Sequence, residues 1–228
     1  MITTVGKTDT DLKMDILAQL QFEPSIKITD IGVLVKDGVV TLNGVATSYG
    51  EKINTVQATK RVVGVRAIAD DIEVSLPEFD HHADGDIAEA AINRINWSTL
   101  IPPGSVQVTV REGHLMLEGN LEWGYQKHAA EAAVQHLAGV HGISNQINIR
   151  PSLTSGALDV NLRAAIKRNA MLDHDSIQVE AQDRHVILSG RVRSYSESEE
   201  AERLAWAAPG VLSVDNRLKV EWPWELTD

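Results

Sequence analysis

The chain of 228 residues has no cysteine, only seven prolines, and few aromatics: five Trp, three Tyr and two Phe. Without a thiol it forms no disulfide, no thiolate metal site and no cysteine nucleophile. Basic residues are also short. Twenty-one Lys and Arg stand against 32 Asp and Glu, a formal net charge of -11, and the pI is near 5.1. Nucleic acid is met by basic surfaces, so it is excluded as a partner class. No window approaches 18 uninterrupted apolar residues, which argues against a transmembrane segment. The N-terminal "MITTVGKTDTDLKMDILAQL" has no basic stretch followed by an apolar core and a small-residue cleavage site. The expectation is a soluble, cytoplasmic protein, or a periplasmic one if the chain is the mature form of an exported protein.

What the chain does contain is repetition, and repeats govern the reading of everything else. "VVTLNG" ends at Gly44, "HLMLEG" at Gly119 and "HVILSG" at Gly190. Twenty residues after each glycine comes a Gly-Val pair, at Gly64, Gly139 and Gly210. Six residues further stand Asp70, Asn145 and Asn216, and two beyond those Ile72, Ile147 and Leu218. A shared register at four positions in three copies is far more specific than any single motif.

Upstream of each hexapeptide the apolar residues recur at helical spacing: Leu12, Ile16, Leu17 and Leu20; Ile87, Ala91, Ile92 and Ile95; Leu162, Ala165 and Ile166. Asp9 or Asp11, Asp84 or Asp86, and Asp159 are placed to cap these helices. Extended runs follow, "IKITDIGVLVKD", "VQVTVREG" and "IQVEAQDR", leading through Asp37-Gly38, Glu112-Gly113 and Asp183-Arg184 into the hexapeptides. Short turns of this kind predict antiparallel hairpins. A second helix is expected over 51–62, 126–137 and 196–207, stopped by the Gly-Val pair, and a last strand after it. The fold class is therefore α+β, three tandem αββαβ units, each a three-stranded sheet covered by two helices. The expected units are 9–76, 84–150 and 157–221, followed by a tryptophan-containing tail at 222–228. The stretches between them carry Pro, Gly, Ser and charge, as linkers do.

This pattern resembles the BON domain, a bacterial module named for osmotic-shock and nodulation proteins. The hexapeptide glycines, the later glycines and the terminal strands with "DDI", "NQI" and "DNRL" carry the resemblance, which spans nearly the whole chain as three copies. It implies a non-enzymatic interaction module associated with phospholipid or envelope surfaces and with osmotic stress. It supplies no catalytic motif. On this basis the chain is expected to be a binding or scaffold protein that contacts a phospholipid surface or a partner protein. Two alternatives are a self-assembling homo-oligomer and a cytoplasmic small-ligand or cation sensor.

The residues themselves give no catalytic constellation and require no cofactor. "GNLEWGYQK" lacks the Gly-Lys-Ser/Thr ending of a phosphate loop. "DHHADGD" at 80–86 is the densest set of metal-ligand types, but three or four ligands must converge on one point, so a solvated linker is the ordinary reading and no metal site is assigned. Gly44, Gly119, Gly190, Gly64, Gly139 and Gly210 are expected to be structural. Residues 9–76, 77–150 and 151–220 carry nets of -3, -5 and -1, so the third repeat is the least repelled by an anionic surface. Its Arg163, Lys167, Arg168, Arg191 and Arg193 form the candidate patch for an anionic ligand or partner. Trp97, Trp123, Trp222 and Trp224 are the candidate partner contacts, the last two flanking Pro223 in an extended presentation.

Overall fold

The computed structural model describes residues 7–150, 176–182, 184–208 and 211–220, together with Leu162, Ala165, Arg168, Asn169 and Leu172. In the first unit α1 (Asp9–Gln21) leads into β1 (Ile31–Lys36), β2 (Val39–Ala46), α2 (Tyr49–Lys60) and β3 (Ala67–Val74). The second repeats the order as α3 (Asp84–Trp97), β4 (Val106–Arg111), β5 (His114–Leu121), α4 (Gly124–Val134), β6 (Gly142–Asn145) and β7 (Asn148–Ile149). The third has β8 (Ile177–Gln182), β9 (His185–Val192), α5 (Tyr195–Ala207) and β10 (Ser213–Val220). Its described positions Leu162, Ala165 and Arg168 are helical. The capping expectation at Asp159, the Gly210 stop and the Trp222 and Trp224 tail lie outside the described residues.

Each sheet puts the hexapeptide strand in the middle. β2 pairs antiparallel with β1 and parallel with β3, and β9 pairs the same way with β8 and β10. In the second unit the last strand comes in two pieces, β6 and β7, both parallel to β5. Central strands bury Val40 and Leu42, Leu115 and Leu117, and Val186 and Leu188 against the helices. The first helices answer with Leu12, Ile16 and Leu20, and with Ile87, Ala91 and Ile95, at spacings of four. One apolar cluster forms per unit. Fully burying one such side chain contributes about 1.5–3 kcal/mol, and units this small have few of them to bury.

Helices cover one face of each sheet. The other face of the first sheet leaves Leu34 58% exposed, with Val39 and Val45 also exposed.

Several local expectations are corrected. Thr8, not an aspartate, caps α1, in a reciprocal arrangement with Asp11. The capping box satisfies two N–H groups, and it frees Asp9 to reach the hairpin turn, where it accepts from Asp37 N–H at 2.7 Å and Gly38 N–H at 3.0 Å. Asp84 does the same, accepting from Glu112 and Gly113 N–H at 2.9 Å each. These turns carry positive φ at both central residues, 51° and 73° in each. That is the twist a two-residue hairpin favours, and it aims both amides outward for one carboxylate. A turn of 3-10 helix at Ile28–Asp30 replaces the start of the first extended run. α2 and α4 stop at Lys60 and Val134, ahead of Gly64 and Gly139, because tighter turns such as Val62 N–H to Thr59 O and Leu137 N–H to Val134 O intervene.

Candidate interaction site

The anchor glycines lie inside the central strands, two residues before the strand ends. φ is 116° at Gly44, 149° at Gly119 and 116° at Gly190. A Cβ built there would run into the carbonyl oxygen of Asp30, Ser105 or Ser176 across the hairpin. The close approach is thus strand to strand.

The sequence reading missed a set of buried polar braces. Glu51, Gln126 and Glu197 stand seven residues after the three glycines and are nearly fully buried. Glu51 accepts from Lys27 N–H, Thr47 N–H and the Thr47 hydroxyl, each at 2.7 Å. Gln126 accepts from Glu122 and Trp123 N–H at 3.2 and 3.1 Å. Glu197 accepts from Arg193 N–H at 2.7 Å. The signal was there, a Glu or Gln at one register position in all copies, but in a first helical turn it reads as an ordinary dipole-favoured acid.

A second brace varies in a compensating way. Asn145 and Asn216 each take the N–H two residues on and donate to a helix carboxylate, Glu131 at 3.1 Å and Glu202 at 3.0 Å. The first unit has Asp70, with Val56 in place of that Glu. Asp70 is met by Lys52 at 3.2 Å. Two carboxylates would repel there, so the acid stands in the unit that lacks the helix Glu.

The units also meet one another. Tyr49, at the start of α2, packs on the core of the second unit. Its hydroxyl meets the backbone of Ile143, and burial, helped by Glu131 and Asp70, holds its pKa above the usual phenol range. At the equivalent place in the second unit stands Gly124, and the ring of Trp206 from α5 occupies the space a side chain there would need. His128 meets Trp206 edge to face with centroids 6.5 Å apart. Tyr195, the third equivalent, packs on the core of the first unit, where Lys60 and Glu199 form an ion pair. One contact surface is used three times, first to second, second to third and third back to first.

Of the candidate partner residues, Trp97 is 90% exposed at the end of α3. Phe22, at the matching place after α1, is 86% exposed, and the third repeat puts exposed Arg168 there. Phe22 was missed because an apolar residue after a helix reads as its hydrophobic end. Trp123 is half-buried at the start of α4, with its ring 6.0 Å from Tyr125. Arg163 and Lys167 lie outside the described residues. Arg191 is exposed on β9 beside Lys219 in the parallel register. Arg193 turns away to Glu197, at 3.5 Å. Among the described members of the basic set, Arg193 is thus paired within its own unit. His114 stacks on His141 at 5.9 Å. Among the described residues no group of three or more His, Asp or Glu is arranged to hold a metal ion, and no helix is long and apolar enough to cross a membrane.

The sequence profile of the BON domain matches residues 8–75, 83–151 and 155–221. The chain is 26% identical over 147 residues to osmotically-inducible protein Y of Escherichia coli (strain K12), covering 62% of this chain and 73% of that one. Among solved structures, CdsD, a structural protein of the type III secretion system of Chlamydia trachomatis, aligns over 91% of each chain at 13% identity with a TM-score of 0.25. The C-terminal domain of the same protein aligns over 92% of this chain and 98% of that one at 14% identity and the same TM-score.

Proposed function

The chain belongs to the BON-domain family, with three consecutive copies, and we propose that it is a non-enzymatic scaffold that docks on a phospholipid surface in an osmotic-stress setting. The stress setting is carried over from the osmotically inducible relative. The observation that carries the docking is the pair Phe22 and Trp97, at one repeat position and 86% and 90% exposed. Phe22, Trp97 and Arg168 stand at one repeat position, two aromatic and one cationic, and all three are exposed.

Large aromatics left in water at matching sites find their natural medium at a bilayer interface, where an indole keeps its N–H wet while its ring is buried. An arginine at the same position of the third repeat suits a headgroup phosphate. With a net charge of -11, a zwitterionic surface suits this chain better than a strongly anionic one. The test is flotation with phosphatidylcholine vesicles and with vesicles rich in phosphatidylglycerol. The chain is expected to float with the first at least as well as with the second, and Phe22→Ser with Trp97→Ser to abolish it. No flotation of the parent chain with either, or flotation untouched by the double variant, rejects the reading. A partner protein would then be the occupant to seek.

A further inference from the structure

The three joints share a position and differ in chemistry. Residues 53, 128 and 199 occupy one place in the second helix of successive units. Residues 135, 206 and 60 occupy one place near the end of the second helix in the unit that each faces. The first joint has Ile53 and Gln135 at these places. The second has His128 against Trp206. The third has Glu199 and Lys60, opposite charges in contact, with side chains 38% and 23% exposed.

The third joint is also the one that no linker spans. Sequence-adjacent units stay at high effective concentration through their linkers, whereas the third unit returns to the first through contacts alone. Among the described residues those include Tyr195 on the first core and the ion pair. We propose that Lys60 and Glu199 form an ionic-strength-sensitive latch, so that rising salt shifts the chain from a closed ring of three units toward an open one. Opening bares Tyr195 and the part of the first unit's core on which it packs.

The physics singles out this joint. Screening shortens from about 8 Å at physiological salt to about 3 Å at 1 M, and it acts on a half-exposed pair. The second joint's close contact, His128 with Trp206, is ring to ring and not an ion pair, so screening acts on it less. A pair of this exposure changes the open-to-closed ratio by up to about five-fold. Reversing one charge puts like charges in contact, which shifts the ratio by about a hundred-fold or more. The latch is independent of lipid docking.

Because the chain has no cysteine, Glu73→Cys and Gln178→Cys place two spin labels on exposed sites of the first and third units. Pulsed dipolar spectroscopy on the full chain then reads their separation between about 0.05 M and about 1 M salt, with circular dichroism reporting folding. A longer-distance population is expected to grow with salt. Lys60→Glu should populate it at low salt, and Lys60→Glu with Glu199→Lys should restore the short distance. Lys60→Met with Glu199→Leu should abolish the salt response. The proposal is overturned if Lys60→Glu keeps the parent distribution, if the swapped pair fails to restore it, or if the uncharged pair responds to salt as the parent does.

Discussion

Replacing Gly119 by alanine adds one methyl group at a place where two costs coincide. Its φ of 149° belongs to a region that side-chain-bearing residues avoid, at about 1–3 kcal/mol. The new Cβ would also overlap the Ser105 carbonyl oxygen, and forcing backbone apart in a packed hairpin costs about 1–3 kcal/mol more. A unit of this size has a total stability of roughly 3–10 kcal/mol, so a loss of about 3 kcal/mol or more is a large part of it. Gly85 is the control. It lies in the first turn of α3, has no left-handed φ, and a Cβ there meets nothing within 4 Å. Alanine at Gly85 should be neutral or stabilise by up to about 1 kcal/mol. Urea unfolding followed by tryptophan fluorescence reads both, since Trp97 and Trp123 are in the second unit. A Gly119→Ala loss below about 1 kcal/mol, or one no larger than for Gly85→Ala, would refute the strand-contact argument.

Other perturbations probe the braces. Glu51→Ala leaves three donors unpaired in a buried site and should cost about 3 kcal/mol. Glu51→Gln should cost much less, because Gln126 fills the same place natively; equal losses in thermal melts would count against the brace. Asn145→Asp sets a carboxylate against Glu131 and should destabilise the second unit by about 1–3 kcal/mol. Adding Glu131→Val copies the first unit, since Lys127 already stands where Lys52 does, and should recover most of the loss in a double-mutant cycle. The bonds from Gly113 and then Glu112 amides hold the Asp84 pKa below its usual value. A depressed folded-state pKa stabilises above the unfolded pKa, near about 4, and that stabilisation is lost as pH falls through the lower folded value. Asp84→Asn should accordingly flatten the acid limb of the stability profile below about pH 4, and an unchanged limb would contradict the turn bonds.

Much of the fold was legible because it is written as backbone constraint repeated three times. The glycine register set the hairpin strand, and periods of two and about four set strands and helices around it. Boundaries shifted where polar side chains had two possible jobs. Asp9 and Asp84 looked like helix caps and instead tie a turn 28 or 29 residues away, a partnership that only the packed unit creates. The site was less legible. Tyr49, Gly124 and Tyr195 could be aligned by eye, yet the meaning of Gly124 depends on Trp206 from another unit filling its place. Arg193 reads in the sequence as one of a set of basic residues, and its contact with Glu197 appears only in the folded unit. Local pattern encodes secondary structure, while a joint between units depends on which helix faces meet.

The central claim is that Trp97 enters a bilayer interface, and brominated phosphatidylcholine tests it most directly. Bromine quenches indole only at short range, and Trp97 is the most exposed of the described tryptophans. Vesicles of this lipid should quench the parent chain, and Trp97→Phe should remove most of that quenching while leaving the fold intact. Equal quenching of parent and variant, or none in either, would contradict the account.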